Sequence, residues 1–184
     1  TGTRNQEPQG FAILESTDLK HWTVPNGKDL QLILRKGDQA FGEKGFWAPQ
    51  YFKDKRTYYF TYTANEQTVI ASSKSVFGPF RQKEVKPIDA SAKNIDSFLF
   101  KDDDGKYYLY HVRFNKGNYL WVAEFDIKKG SIKPETLKQC MDCTEPWEKT
   151  PNYKSAPVME GPTVMKWDLI RSEERFSRNA ETDL

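Results

Sequence analysis

The sequence predicts an all-β fold of the β-propeller type, present as an incomplete set of blades. Three observations carry that expectation. Helical periodicity is nearly absent along the chain. Short alternating or aromatic runs recur, separated by turn residues. The runs also repeat: Tyr58-Tyr59 and Tyr107-Tyr108 lie 49 residues apart (107 − 58). A period near that length, with several strands per unit, is a propeller signature.

The elements follow in order. Residues 11–16 read as a strand, followed by Thr17-Asp18-Leu19-Lys20-His21-Trp22. Residues 50–52 and 58–63 flank the turn Lys53-Asp54-Lys55-Arg56. Residues 68–73 form the next strand, and Phe77-Gly78-Pro79-Phe80 breaks the pattern. Residues 98–100 and 107–112 flank Asp102-Asp103-Asp104-Gly105, where Asp-Gly signals a hairpin. Residues 119–125 make another strand. One unit thus runs from Trp47 to Ser73 and the next from Asp96 to Phe125. Residues 1–22 read as the back half of an earlier unit, with Thr1-Gly2-Thr3 matching Thr61-Tyr62-Thr63. Glu160 opens a further unit that stops matching after Trp167. Residues 1–167 therefore read as a partial propeller domain of about three blades. Residues 168–184 read as a charged, non-matching tail, helical or disordered, foreign or frameshifted.

Composition narrows the function classes. Aromatics make up 14% of a chain that is only 37% hydrophobic, which suits a β protein with wet edges and an aromatic-lined cleft. Net charge is +2, with Lys and Asp/Glu interspersed, so no basic stripe points to nucleic acid. No apolar run approaches the roughly 20 residues of a membrane span. No signal peptide is visible; the chain starts without Met in the middle of a pattern, as a fragment or processed product does. The two cysteines, Cys140 and Cys143, lack two further ligands at zinc spacing. They read as loop cysteines, bridged or unbridged. Asp102, Asp103 and Asp104 have a calcium reading, but a solvated hairpin turn accounts for them more simply.

Two acids stand at the mouths of similar strand-forming segments, Asp96 before Ser97-Phe98-Leu99-Phe100 and Glu160 before Gly161-Pro162-Thr163-Val164. If the segments are equivalent units, the repeat carries both carboxylates to one funnel although they are 64 residues apart (160 − 96). Two converging carboxylates are the minimal equipment for breaking a glycosidic bond. Gly-Pro after Glu160 gives a rigid backbone exit and no bulky neighbour. Trp47 has two readings, stacking on a sugar face or filling space between blades. His111 and Arg113 also have two, reaching the funnel or bonding between blades. Trp22, Trp121, Trp147 and Trp167 read as core or blade-packing residues.

At this point four stretches resemble glycoside hydrolase family 43, the five-bladed propellers that include β-xylosidases, α-L-arabinofuranosidases and arabinanases. Glu15-Ser16-Thr17-Asp18-Leu19-Lys20-His21-Trp22 is similar to the segment closing the family's first blade. Phe46-Trp47-Ala48-Pro49-Gln50 resembles its "WAP" opening of the second. Ile95-Asp96 with residues 100–106 resembles the third-blade opening, and Met159-Glu160-Gly161-Pro162 the fourth.

The resemblance implies an inverting hydrolase of pentose-containing plant saccharides (xylan, arabinoxylan, arabinan). Glu160 then matches the general acid and Asp96 the carboxylate that orients it and raises its pKa. The base belongs to an Asp-Pro motif that would precede Thr1, and the fifth blade is also missing. Trp47, His111 and Arg113 are the substrate-binding candidates. No cofactor is required, with room for a structural calcium in a full-length enzyme. The partner implied is an oligosaccharide or polysaccharide, not nucleic acid or membrane. Substrate class favours a secreted or periplasmic location. Two other classes compete: a non-catalytic carbohydrate-binding propeller, and a protein-interaction propeller, which would have no use for two acids at its axis.

Overall fold

The computed structural model describes residues 8–27, 29–148 and 157–166. Its ten strands are β1 (Gly10–Ala12), β2 (Leu32–Arg35), β3 (Gly45–Asp54), β4 (Thr57–Ala64), β5 (Gln67–Ser73), β6 (Asn94–Lys101), β7 (Tyr107–Phe114), β8 (Asn118–Asp126), β9 (Ser131–Ile132) and β10 (Lys138–Met141). Among the described residues there is no α-helix. The strands form three antiparallel sheets: β1-β2, β3-β4-β5, and β6-β7-β8-β10 with β9 alongside β8. They stand as consecutive blades.

The blades stack face to face, and that explains their burial. A strand inside a blade is covered on both sides, so its alternation disappears. Phe60, Thr61, Tyr62, Thr63 and Ala64 on β4 are all buried. One core gathers Ile33, Leu34, Phe46, Phe60, Tyr62, Val69 and Phe80 between the first sheet and the β3-β4-β5 blade. The other gathers Ile88, Leu99, Leu109, Ala123, Phe125 and Ile132. On β5 the period of two sends Val69 and Ala71 into the first core and Ile70 toward the second. Burying one such side chain stabilises by about 1.5–3 kcal/mol.

Three structural details refine or correct the sequence reading. Residues 11–16 do not form one strand: β1 ends at Ala12 and only a bridge joins Glu15 to Thr23. The cause is local. Ser16 Oγ accepts the Asp18 and Leu19 N–H groups, and Asp18 Oδ1 accepts those of Lys20 and His21, which curls the chain into a turn. Trp22 and Trp147 are not core residues but 53% and 70% exposed. Trp22 follows that surface turn, and Trp147 sits in a single 3₁₀ turn with no buried residue. Trp121 is half-buried, and the Arg113 guanidinium lies over its ring. The cysteines are unbridged. Cys140 lies on β10 rather than in a loop, donating to the Leu120 carbonyl, and Cys143 is buried. Trp167, Thr1-Gly2-Thr3 and residues 168–184 lie outside the described residues.

The expected hairpins are present. Asp54 pairs with Thr57 across Lys55-Arg56. In the other blade Gly105 (φ +81°) closes the Asp102–Lys106 turn, its N–H donating to Asp102 O.

Candidate active site

The first strands of the two blades run side by side. The Gln50 side chain on β3 accepts the Leu99 N–H of β6 and donates to the Leu99 carbonyl. Each of these strands also carries an irregularity near its start. On β3 the register shifts between Trp47 and Gln50; on β6 it shifts between Ile95 and Phe98. Ala48 (φ +49°) and Asp96 (φ +51°) occupy the matching bulge positions. The inner strands are thus offset by 48 residues (96 − 48), one less than the Tyr pairs. The difference is one extra residue in the turn: Lys53 faces Tyr58, whereas Lys101 faces Tyr107.

Residues 157–166 continue the series. The Asn94 N–H donates to Glu66 O, and the Met159 N–H donates to Asn118 O. Lys101 Nζ reaches Asp54 of the preceding hairpin; Lys166 Nζ reaches Asp102 and Asp103 of the next. Gly161 has φ +67°. The bulge positions are therefore Ala48, Asp96 and Gly161, each preceded by a site residue or its counterpart: Trp47, Ile95 and Glu160. Asp96 and Glu160 are not equivalent positions of the repeat, as the simplest reading of the spacing expects. They are one step apart, and that step lets them interlock.

Asp96 is half-buried. Its N–H donates to Thr63 Oγ1 at 3.1 Å, and its Oδ2 accepts the Gly161 N–H at 3.2 Å. The carboxylate thus clasps the backbone immediately after Glu160. Burial raises the Asp96 pKa above the usual carboxylate value, and the Glu160 charge raises it further, while the Gly161 bond opposes both. Glu160 is exposed, and its Oε1 accepts an N–H from Asn118 Nδ2 at 2.5 Å. Asn118 also holds the segment by its backbone, donating to Pro157 O at 2.9 Å. One acid is seated and restrained; the other is tethered at one oxygen and open to solvent.

Trp47 is 46% exposed and pairs with Thr63, the residue that also accepts from Asp96. Gly45 (φ +80°) makes room for it, since a Cβ there would stand 2.7 Å from the indole ring. Trp47 and Asp96 therefore flank one buried threonine. His111 and Arg113 lie deeper. Arg113 is engaged by Asp89, donates to Ser91 Oγ at 3.0 Å and covers Trp121. His111 is fully buried, and neither ring nitrogen meets a hydrogen-bond partner. Its pKa falls to about 4, chiefly through burial and secondly through the Arg113 charge. The Asp89 charge and a loose contact with the Leu109 backbone oppose this without reversing it.

Sequence reasoning missed Asn118 and Thr63. The repeat held a signal for Asn118, which stands where Glu66 stands one blade earlier. Thr63 carried none, being one of two buried threonines on β4. Among the described residues no group of three or more His, Cys, Asp or Glu is placed to hold a metal ion. Asp102 and Asp103 hold Lys166 instead of gathering around a cation. At this turn the described residues do not gather as a calcium site would require.

Consecutive antiparallel blades, with Asp96 and Glu160 linked through the Gly161 backbone, define a propeller-type fold. The chain belongs to glycosyl hydrolases family 43, whose family model matches residues 1–168. An endo-1,4-β-xylanase from Bacteroides thetaiotaomicron is 38% identical, with a TM-score of 0.77 over 90% of this chain and 54% of its own. A thermostable family-43 glycoside hydrolase is 27% identical, with a TM-score of 0.73 over 88% of this chain and 54% of its own. An endo-arabinase from Bacteroides thetaiotaomicron shares the fold at 20% identity, with a TM-score of 0.62 over 73% of this chain and 48% of its own. The chain thus spans about half the length of these structures. No curated protein matches it.

Proposed function

We propose that this chain is part of an inverting glycoside hydrolase acting on pentose-containing polysaccharides of the xylan, arabinoxylan or arabinan type. One observation carries the reading: Asp96 binds the backbone next to Glu160 while Glu160 itself stays exposed. Glu160 is the general acid that protonates the leaving oxygen. Asp96 orients it and supplies the neighbouring negative charge. Two such interlocked carboxylates suit an acid and its tuner. The acid and base of an inverting enzyme stand roughly 6.5–9.5 Å apart to admit water, so the base is assigned to a third carboxylate upstream of Thr1. Trp47 offers the exposed face on which a sugar ring stacks. Arg113, held by Asp89 and Ser91, and the fully buried His111 are assigned to support of the blade rather than to sugar contact. Family membership supports the reaction class, and the similarity to a xylanase supports the substrate class.

The test is hydrolysis of aryl β-xyloside and aryl α-L-arabinofuranoside by a protein that carries this chain with its flanking sequence. Glu160→Gln is expected to lower turnover by about 10²–10⁴-fold. A variant as active as the parent would remove Glu160 from the role of acid. Saccharide binding without turnover by the parent would favour a non-catalytic binding propeller. The 184-residue chain alone is expected to show no turnover; robust activity from it would place the base among its own residues.

A further inference from the structure

One cavity lies away from the acids. It is a groove of about 660 Å³ between the outer edge of the β3-β4-β5 blade and the β8–β9 turn. Thr57 and Tyr59, at the hairpin end of β4, line it. Tyr59, the nearer of these to the acids, is four residues from Thr63 along β4, about 13 Å at strand rise, and none of Thr63, Asp96, Asn118 and Glu160 lines the groove. The groove is therefore separate from the carboxylate pair. Its volume falls in the range of sites that hold ligands of a few rings.

Its lining has a definite chemistry. Lys74, Arg81, Lys83, Lys86, Lys128 and Lys129 surround it, against the single carboxylate Glu84. The chain as a whole carries only +2, so this charge is concentrated here. Partial neutralisation does not remove it. Arg81 pairs with Asp38, Lys86 with Glu84 and Lys129 with Asp126 at 3.9 Å. Lys74 meets only the Thr57 hydroxyl, and Lys83 and Lys128 form no ion pair among the described residues. The Lys128-Lys129 turn is built firmly. Asp126 Oδ1 accepts both lysine N–H groups, and Gly130 packs against Ile70 on the floor. Tyr59 adds an aromatic, hydroxyl-bearing wall.

An aromatic face with Ile70 beneath it, ringed by unpaired lysines, matches a sugar ring that carries a carboxylate. We infer that this groove binds a uronic-acid-bearing saccharide, as an accessory site that holds acidic polysaccharide away from the catalytic carboxylates. The inference rests on the carbohydrate-directed reading of the family. It does not depend on the role of Glu160.

Backbone NMR titration of a protein that carries this chain with its flanking sequence tests it with three probes: a xylo-oligosaccharide bearing a glucuronic acid side group, the same oligosaccharide without it, and an oligogalacturonate. The expected result is uronate-dependent shifts at Tyr59, Ile70 and Gly130, with the neutral probe at least about tenfold weaker. Affinity should drop about tenfold from low to physiological ionic strength. Charge reversal at two exposed positions, Lys83→Glu with Lys128→Glu, should weaken binding about tenfold or more. Binding of the branched probe alone assigns the site to side groups on a neutral backbone; binding of the oligogalacturonate alone assigns it to acidic chains. Glu160→Gln should leave the titration unchanged, so failure of the groove and failure of the acid assignment are distinguishable. Equal binding of the neutral probe, indifference to the double variant, or equal competition by single-stranded DNA would each overturn the inference.

Discussion

The β3-β4-β5 blade and the β6-β7-β8 blade share one backbone plan and differ in what they place on it. Both put a left-handed residue at the bulge of the first strand: Ala48 in one, Asp96 in the other. Both fill one central-strand position with a fully buried ring: Tyr62 in one, His111 in the other. Tyr62 donates its hydroxyl to the Phe41 carbonyl, while His111 is left without a partner. All the buried, unpartnered side-chain polar atoms among the described residues belong to the second blade, on Ser97, His111 and Trp121. The repeat therefore supplies positions, and single substitutions turn one position into chemistry. The blade that carries Asp96 is also the one that carries unsatisfied polar groups, the pattern expected where a site is placed at a cost in stability.

Equal packing is the part of the comparison easiest to break. Phe60 and Leu109 are matching core residues, 2% and 0% exposed. Phe60→Ala should cost about 3–5 kcal/mol and Leu109→Ala about 2–5 kcal/mol in denaturant melts. A cost below about 1 kcal/mol at either would show that its blade is not packed as its partner is.

The buried rings differ next. His111 titrates near 6.5 when unfolded and near 4 when folded. Acidification through that window protonates the unfolded state first, so stability is lost as pH falls, by up to about 3 kcal/mol below pH 4. Above pH 7 both states are neutral and no such loss exists. His111→Phe should flatten this part of the stability profile. A profile with the parent's slope would remove His111 as its source.

Asp96 gives a smaller effect of opposite sign. Its folded pKa is raised, so the stability attached to its neutral form is complete below 3.8 and declines as pH rises through the folded value. Asp96→Asn should gain relative to the parent as pH rises above 3.8. Glu160→Gln should lower the Asp96 titration seen by NMR while leaving it above 3.8, because burial is the larger cause. No movement would mean that the two carboxyls are uncoupled.

The smallest effect belongs to the lysine clasps. Lys101 grips Asp54, which also accepts the Tyr107 hydroxyl; Lys166 grips Asp102 and Asp103. Lys101→Met should destabilise slightly more than Lys166→Met, and both differences should shrink in high salt. Salt-independent losses would point to packing of the lysine stems.

Much of this was legible in advance, for identifiable reasons. Hairpin turns are local chemistry, so Asp-Gly at 104–105 was readable. Tyr-Tyr pairs repeat because each central strand meets the same inter-blade environment. Asp96 and Glu160 were legible as a pair because the repeat brings them together. The one-residue offset between them was not, since it rests on register between segments that only the backbone pairing reveals. The exposure of Trp22 and Trp147 was also hidden, because a large apolar side chain carries no mark of whether a neighbour covers it. Asn118 looked like an ordinary residue at a strand start; its contact with Glu160 spans 42 residues.

By itself the sequence determined the class of fold, the blade period, the turns and the identity of the two acids, because these rest on local propensity and repetition. Tertiary structure alone decided which acid is seated and which is free. It set Asp96 against the Gly161 backbone, gave Glu160 to Asn118, and sealed His111 without a partner. Each depends on burial and on contacts between blades, quantities that exist only once the strands have stacked.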